Sequence, residues 1–136
     1  MQFYQYKICN FESLIFKTVI VKKKILVVDD SSSNVLLLEN FLEDEGFEIE
    51  VANSGKEAIK ILSQFNPDII LLDLMMPGLN GIDVMKSIPQ TIPVIMISAN
   101  KDSKLVEEAK AQGIKSYIQK PIDFDEILKE IALYIL

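Results

Sequence analysis

The chain has 136 residues, 49% hydrophobic and 25% charged, which suits one globular domain with its own core and excludes a disordered tail. Its net charge is −6 and all 14 basic residues are lysines, so it lacks the arginine-bearing basic patch of a nucleic-acid binder. With no histidine and one cysteine, Cys9, it has no phosphohistidine, no imidazole base or ligand and no disulfide framework; any phosphoryl group must come from outside, and a reducing cytoplasmic setting is expected.

Residues 1–22 read as an extension whose structure the sequence does not announce. Leu14 to Val21 is β-branched enough for a strand added to a sheet edge; the rival reading places the true start of translation later. The stretch lacks a basic start, and Lys7, Glu12 and Lys17 interrupt it, so it is neither a signal peptide nor a membrane span.

From Lys23 the pattern is regular. Ile25 to Val28 is a short apolar strand ending in Asp29-Asp30, and Ser31 to Asn34 offers helix caps. The following helix places Val35, Leu38, Phe41 and Leu42 on one face and stops at Gly46. Phe47 to Val51 alternates with period two, as a strand with one wet face does. Ser54 and Glu57 have capping-box spacing before a helical stripe of Ala58, Ile61, Leu62 and Phe65, which Asn66-Pro67-Asp68 breaks. The stretch Ile69 to Gly78 opens on an apolar run that stops at Asp73, with the Pro77-Gly78 turn after it, the signature of a strand buried on both faces.

A short helix is expected from about Gly81 to Ile88, stopped by Pro89. Val94 to Ile97 forms another buried strand, with Ser98, Ala99 and Asn100 at its exit. The next helix turns Leu105, Val106 and Ala109 inward and ends at Gly113. Lys115 to Gln119 is the last strand, leading into Lys120-Pro121. A final helix opens with Asp123 and Glu126 at capping-box spacing and buries Phe124, Ile127, Leu128, Ile131 and Ile135. Strand and helix thus alternate five times over residues 23–136, which predicts a doubly wound α/β fold: a five-stranded parallel sheet with helices on both faces.

In such a fold, sites lie beyond the carboxyl ends of the strands. Asp29, Asp30, Asp73, Ser98 and Lys120 all fall there. Taken singly, each is ordinary turn or capping chemistry. Together, three convergent carboxylates repel unless a cation is present, and an oxygen-only ligand set suits Mg²⁺ better than Zn²⁺. Lys120 adds a point charge and Ser98 a hydroxyl, the groups that stabilise a phosphoryl group in transfer, and a carboxylate such as Asp73 can be its acceptor.

The residues Ile25 to Asp30, Leu71 to Gly78, Val94 to Ala99 and Tyr117 to Pro121 resemble, in order and spacing, the motifs of response-regulator receiver domains, the chemotaxis-regulator-like phosphoacceptors of bacterial two-component signalling. The resemblance implies the flavodoxin-like strand order 2-1-3-4-5, known for that family and not read from these residues. It implies Asp73 as phosphoacceptor, charged by a histidine kinase or phosphotransfer protein. Asp30, Asp73 and the backbone carbonyl of Met75 would hold Mg²⁺, with Asp29 acting through water. Ser98 would bond the arriving phosphoryl group and draw its loop inward, Lys120 would pair with it across a cis Lys120-Pro121 bond, and Tyr117 would be the aromatic switch. The readout surface would be the fourth helix, fifth strand and fifth helix, around Lys101 to Ala111, Tyr117 and Asp123 to Leu136. Ser98 stands where the family more often has Thr, and Met75 and Asn100 occupy positions that tune how fast the phosphoryl group is lost.

The expected protein is therefore a single-domain phosphoacceptor of a two-component system or phosphorelay, not a classical enzyme. It acts on a downstream protein effector as a monomer or weak homodimer, without membrane insertion or direct nucleic-acid binding, and no effector domain is visible after the fifth helix. Two rivals stand beside it. One is a Mg²⁺-dependent phosphatase or phosphotransferase, which lacks a second acid two residues after Asp73, where Met75 sits. The other is a protein-interaction module independent of phosphate.

Overall fold

The structure, a computed structural model, describes residues 22–136; the strand expected over Leu14 to Val21 lies outside them. The elements follow in chain order as β1 (Lys24–Val28), α1 (Ser32–Asp44), β2 (Glu48–Ala52), α2 (Gly55–Leu62), β3 (Ile69–Leu72), α3 (Gly81–Met85), β4 (Val94–Ser98), α4 (Ser103–Ala111), β5 (Ser116–Gln119) and α5 (Phe124–Ile135). All strand pairs are parallel and the order is β2-β1-β3-β4-β5, as expected.

Alternate residues of the same strands feed two cores, because successive side chains leave a strand on opposite faces. Leu26, Val28, Ile70, Leu72 and Met96 pack with Ala58 of α2, Ile82 and Val84 of α3 and Ala109 of α4. Ile25, Val27, Ile69, Leu71, Ile95 and Ile97 pack with Leu38 and Leu42 of α1 and Ile127 and Ile131 of α5. With helices over both faces, β3 and β4 are buried along their whole length, which is why they read as unbroken apolar runs. The edge strand β2 alternates instead, with Glu48 and Glu50 exposed.

Most helix signals act as read. Ser31 caps α1, its hydroxyl accepting from Asn34 N–H at 3.3 Å. Gly46 and Gly113 take φ of 99° and 100° just past α1 and α4, a backbone region where a side chain would be strained. Four details differ. Glu57 accepts from Asn53 N–H, one residue before the cap Ser54, while Ser54 itself accepts from Glu57 N–H as expected. The helix α3 ends at Met85, because Lys86, Ser87 and Ile88 N–H bond back three residues, to Asp83, Val84 and Met85, and tighten the last turn before Pro89. Val106 is only half-buried and lines a surface cavity beside Tyr117, while Leu105 and Ala109 face the core. Phe41 and Phe124 are half-buried and stack on each other, ring centroids 4.5 Å apart. Among the described residues no helix is long and apolar enough to cross a membrane.

Candidate functional site

Strand register brings the polar residues together. Val28 of β1 pairs with Leu72 of β3, so Asp29 and Asp73, the next residue on each strand, leave the sheet side by side. On the far side of β3, Leu72 pairs with Met96 and Ser98 pairs with Gln119, which sets Ser98 and Lys120 on the same rim. The ladder continues past the apolar runs: Asp29 N–H donates to Ala52 O at 3.1 Å, Asp73 N–H to Val28 O at 2.9 Å and Lys120 N–H to Ser98 O at 2.9 Å. The backbone under each candidate group is therefore held by the sheet itself.

Asp29, Asp73 and Ser98 are the buried polar residues among those described, at 3%, 4% and 0% exposure. Each carboxylate oxygen of the two acids has a partner. Asp29 Oδ1 accepts from Ser31 N–H at 2.8 Å, and Asp73 Oδ1 from Met75 N–H at 3.2 Å. Lys120 Nζ reaches Asp29 Oδ2 at 2.9 Å and Asp73 Oδ2 at 3.5 Å, so one ammonium bridges both acids. Its peptide bond to Pro121 is cis.

The charges do not balance. Burial and the Coulombic repulsion of Asp29 push the Asp73 carboxyl up from 3.8 to about 6, against the opposing pull of Lys120 and the Met75 N–H. The Lys120 ammonium moves upward despite its burial, because its hydrogen bond to Asp29 and the attraction of both acids outweigh desolvation. One lysine is thus too little positive charge to offset the burial and mutual repulsion of the acids around it. Asp29, Asp30 and Asp73 each offer a carboxylate oxygen, the three lying within 4.8 Å of one another. An all-oxygen set of this kind fits a hard divalent ion such as Mg²⁺. Asp30, unlike the other two, is exposed.

Ser98 and Tyr117 meet at Asn100. Ser98 Oγ accepts from Asn100 N–H at 3.2 Å, and Tyr117 O–H donates to the carbonyl of Asn100 at 2.7 Å. The Asn100 side chain in turn accepts from Asp102 N–H at 2.6 Å, and Asp102 caps α4. A continuous chain of hydrogen bonds therefore runs from Ser98 at the site rim to the start of α4. Beside it, a cavity of about 470 Å³ is lined by Asn100, Lys101, Ser103, Val106, Glu107, Tyr117 and Gln119.

Sequence reading named Met75 for its carbonyl and missed its N–H, which binds Asp73; no residue type signals a backbone donor. It placed Asn100 near the site but not as the junction of Ser98 and Tyr117, a contact across 17 positions that no local pattern carries. The bridging of Asp29 by Lys120, 91 positions apart, was likewise invisible until register set them together.

Residues 25–132 match the family profile of the response regulator receiver domain. The chain is 34% identical over 103 residues to sporulation initiation phosphotransferase F of Bacillus subtilis, a match covering 74% of this chain and 83% of that protein. It is 35% identical over 97 residues to the DNA-binding response regulator MtrA of Mycolicibacterium paratuberculosis, covering 70% of this chain but only 43% of that longer protein. Among solved structures it is similar to the chemotaxis protein CheY4 of Vibrio cholerae, with 28% identity, a TM-score of 0.79 and coverage of 84% of this chain and 99% of that one.

Proposed function

We infer the function from one premise: this chain belongs to the family of response regulator receiver domains, as its profile match and its relatives show. On that premise residues 23–136 are a receiver domain, preceded by an extension over 1–22, and Asp73 is its phosphoacceptor. One observation carries the assignment. Asp73 is a buried carboxylate at the end of the central strand, raised to about 6 yet ionised at neutral pH, with Lys120 on one oxygen. An ordinary buried acid in a structural ion pair is held down, whereas a raised, ionised carboxylate is the better nucleophile.

In the proposed reaction an Asp73 oxygen attacks the phosphorus of a phosphohistidine in a histidine kinase or phosphotransfer protein. A P–O bond forms, the P–N bond breaks and the imidazole leaves with the electron pair, giving an aspartyl phosphate. Asp30, Asp73 and the Met75 carbonyl would hold Mg²⁺ directly and Asp29 through water; when bound, the ion supplies neutralisation of the phosphoryl oxygens. Lys120 holds the nucleophile in place through Asp73 Oδ2 and then pairs with the transferred group. Met75 N–H orients the other oxygen.

Ser98 supports the readout. A phosphoryl oxygen would accept from the Ser98 hydroxyl, whose oxygen already accepts from Asn100 N–H, and drawing that hydroxyl inward pulls on the bonds to Tyr117 and the α4 cap. The state with this loop drawn in binds the phosphate better, so phosphorylation shifts the population toward it. The surface that changes is α4, β5 and α5, where the cavity beside Tyr117 lies, and a protein effector is its reader. The domain thus acts in the cytoplasm as a signalling carrier, a monomer or weak dimer, not as an enzyme on an external substrate and without inserting into a membrane or reading nucleic acid.

The test is intact mass after incubation with acetyl phosphate and Mg²⁺. A gain of one phosphoryl group that Asp73→Asn abolishes supports the proposal. Release of phosphate with no adduct would favour the phosphatase reading, and neither event would favour the phosphate-independent module.

A further inference from the structure

The sheet holds the Asp73 backbone from one side, and a second element meets it from the other. Asp73 N–H is fixed to β1 through Val28 O at 2.9 Å, while its own carbonyl oxygen meets the start of α3. There Gly81, the first residue of α3, comes against it. Gly81 N–H donates to Leu74 O at 2.9 Å. A Cβ built on Gly81 would lie 2.7 Å from the Asp73 carbonyl oxygen, 2.8 Å from Leu74 Cα and 3.1 Å from Met96 Cε. The first two are backbone atoms, so the crowding cannot be relieved by turning a side chain. Nor is the glycine there for its backbone angle, since its φ lies outside the left-handed region.

The helix start is itself held firmly. Asn80 Oδ1 accepts from Asp83 N–H at 3.0 Å and Asp83 Oδ2 from Asn80 N–H at 3.1 Å, a reciprocal cap on a helix of five residues. Ile82, Val84 and Met85 anchor the same turn in the core. The Asp73-Leu74 backbone therefore sits between β1 on one side and a braced helix start on the other.

We propose that Gly81, braced by the Asn80–Asp83 cap, is a positioning residue for phosphoryl transfer: its missing side chain sets how far Asp73 advances into the site. This rests on the reading of Asp73 as phosphoacceptor. It predicts that adding a methyl group at Gly81 moves the nucleophile, because α3 is tied to the core through Ile82, Val84 and Met85 and braced at its start by the Asn80–Asp83 cap. In-line attack is sensitive to such shifts: an error of 1 Å can cost about a hundredfold. A displacement of a few tenths of an ångström then slows transfer by about tenfold.

The experiment compares three variants of the full chain with acetyl phosphate as donor, following intact mass against time. Gly81→Ala is the main variant. Gly55→Ala is its control: a Cβ there would meet Val84 Cγ2 of α3 at 2.7 Å and Cβ and O of Leu79, in the loop before α3, at 2.8 Å, a clash of similar severity that meets no atom of Asp73. Gly81→Ala is expected to lower the maximal rate about tenfold with the half-saturating acetyl phosphate concentration unchanged, and to shift the Met75 amide resonance, which reports the bond to Asp73 Oδ1. Gly55→Ala is expected to keep both within about twofold of wild type while losing comparable thermal stability. Wild-type rates in Gly81→Ala, or equal slowing in both glycine variants, would overturn the proposal. Should Gly81→Ala fail to fold, Asn80→Ala decides: it removes the brace and is expected to slow transfer about threefold, and an unchanged rate would overturn the proposal. A wild-type protein that takes up no phosphoryl group would instead overturn the assignment of Asp73.

Discussion

Removing the charge of Asp73 should stabilise the metal-free protein, although the residue is the proposed centre of function. The folded state raises its carboxyl from 3.8 to about 6. Between those values the folded protein holds a proton that the unfolded chain has released, so stability falls as pH rises through that window and the deficit persists above it. Taken at about 1.4 kcal/mol per tenfold, the full deficit is about 3 kcal/mol near neutral pH. Asp73→Asn keeps the shape and the acceptor for Met75 N–H but turns an amide N–H₂ toward the Lys120 ammonium in place of an acceptor, which leaves a net gain of roughly 1–2 kcal/mol. For a domain of this size that is an unfolding midpoint about 5–10 °C higher. The assay is thermal unfolding of both proteins in chelator at about pH 7.5 and again at about pH 4.5, where linkage reduces the deficit to about a third and the advantage all but disappears. Adding Mg²⁺ should raise the wild type more than the variant, which has lost one carboxylate ligand. A variant that unfolds at or below the wild-type temperature in chelator would refute the claim that Asp73 is held at a cost.

Other substitutions probe the neighbouring groups. Lys120→Met leaves Asp29 and Asp73 facing each other without their shared ammonium and should destabilise the protein by about 3 kcal/mol in chelator, with Mg²⁺ restoring part of the loss; an unchanged midpoint would contradict the bridging role. Ser98→Ala removes the acceptor of Asn100 N–H, a loss of about 1 kcal/mol in thermal stability. It should still permit phosphorylation of Asp73, while the amide shifts that phosphorylation produces along α4 and β5 disappear; their persistence would remove Ser98 from the readout. Tyr117→Phe breaks the bond to the Asn100 carbonyl, again about 1 kcal/mol, and should leave the phosphorylation rate within about twofold of wild type.

The sequence made the sheet legible because β3 and β4 are buried on both faces, so their apolar runs admit no other reading, and because parallel pairing then puts every strand exit on one rim. Asp29, Asp73 and Lys120 follow directly, each being the first residue past its strand. What stayed hidden depends on geometry between elements. The Asn80–Asp83 cap escaped notice because a cap built from Asn and Asp lacks the Ser or Thr with Glu or Gln of the usual signature, whereas Ser54 and Glu57 had that signature and close the box only by half. The end of α3 was misplaced because Pro89 marks the stop, while the tightening of the last turn that ends the helix at Met85 leaves no mark in residue type. Leu105 and Ala109, four positions apart, share the inward face of α4, whereas Val106, one position on and turned by about 100°, lines the Tyr117 cavity; expecting all three inward drew the apolar stripe too wide. The meeting of Ser98 and Tyr117 at Asn100 is a relation between two loop and strand positions, set by the β4–β5 register.

The central claim is that Asp73, among three adjacent carboxylates, is the one that becomes phosphorylated. Chemical reduction of the acyl phosphate with borohydride converts the modified aspartate to homoserine, and peptide mass mapping then locates it. After loading with acetyl phosphate and Mg²⁺, homoserine is expected at Asp73, with Asp29 and Asp30 unmodified. Homoserine at Asp29 or Asp30 in the wild-type protein would contradict the account.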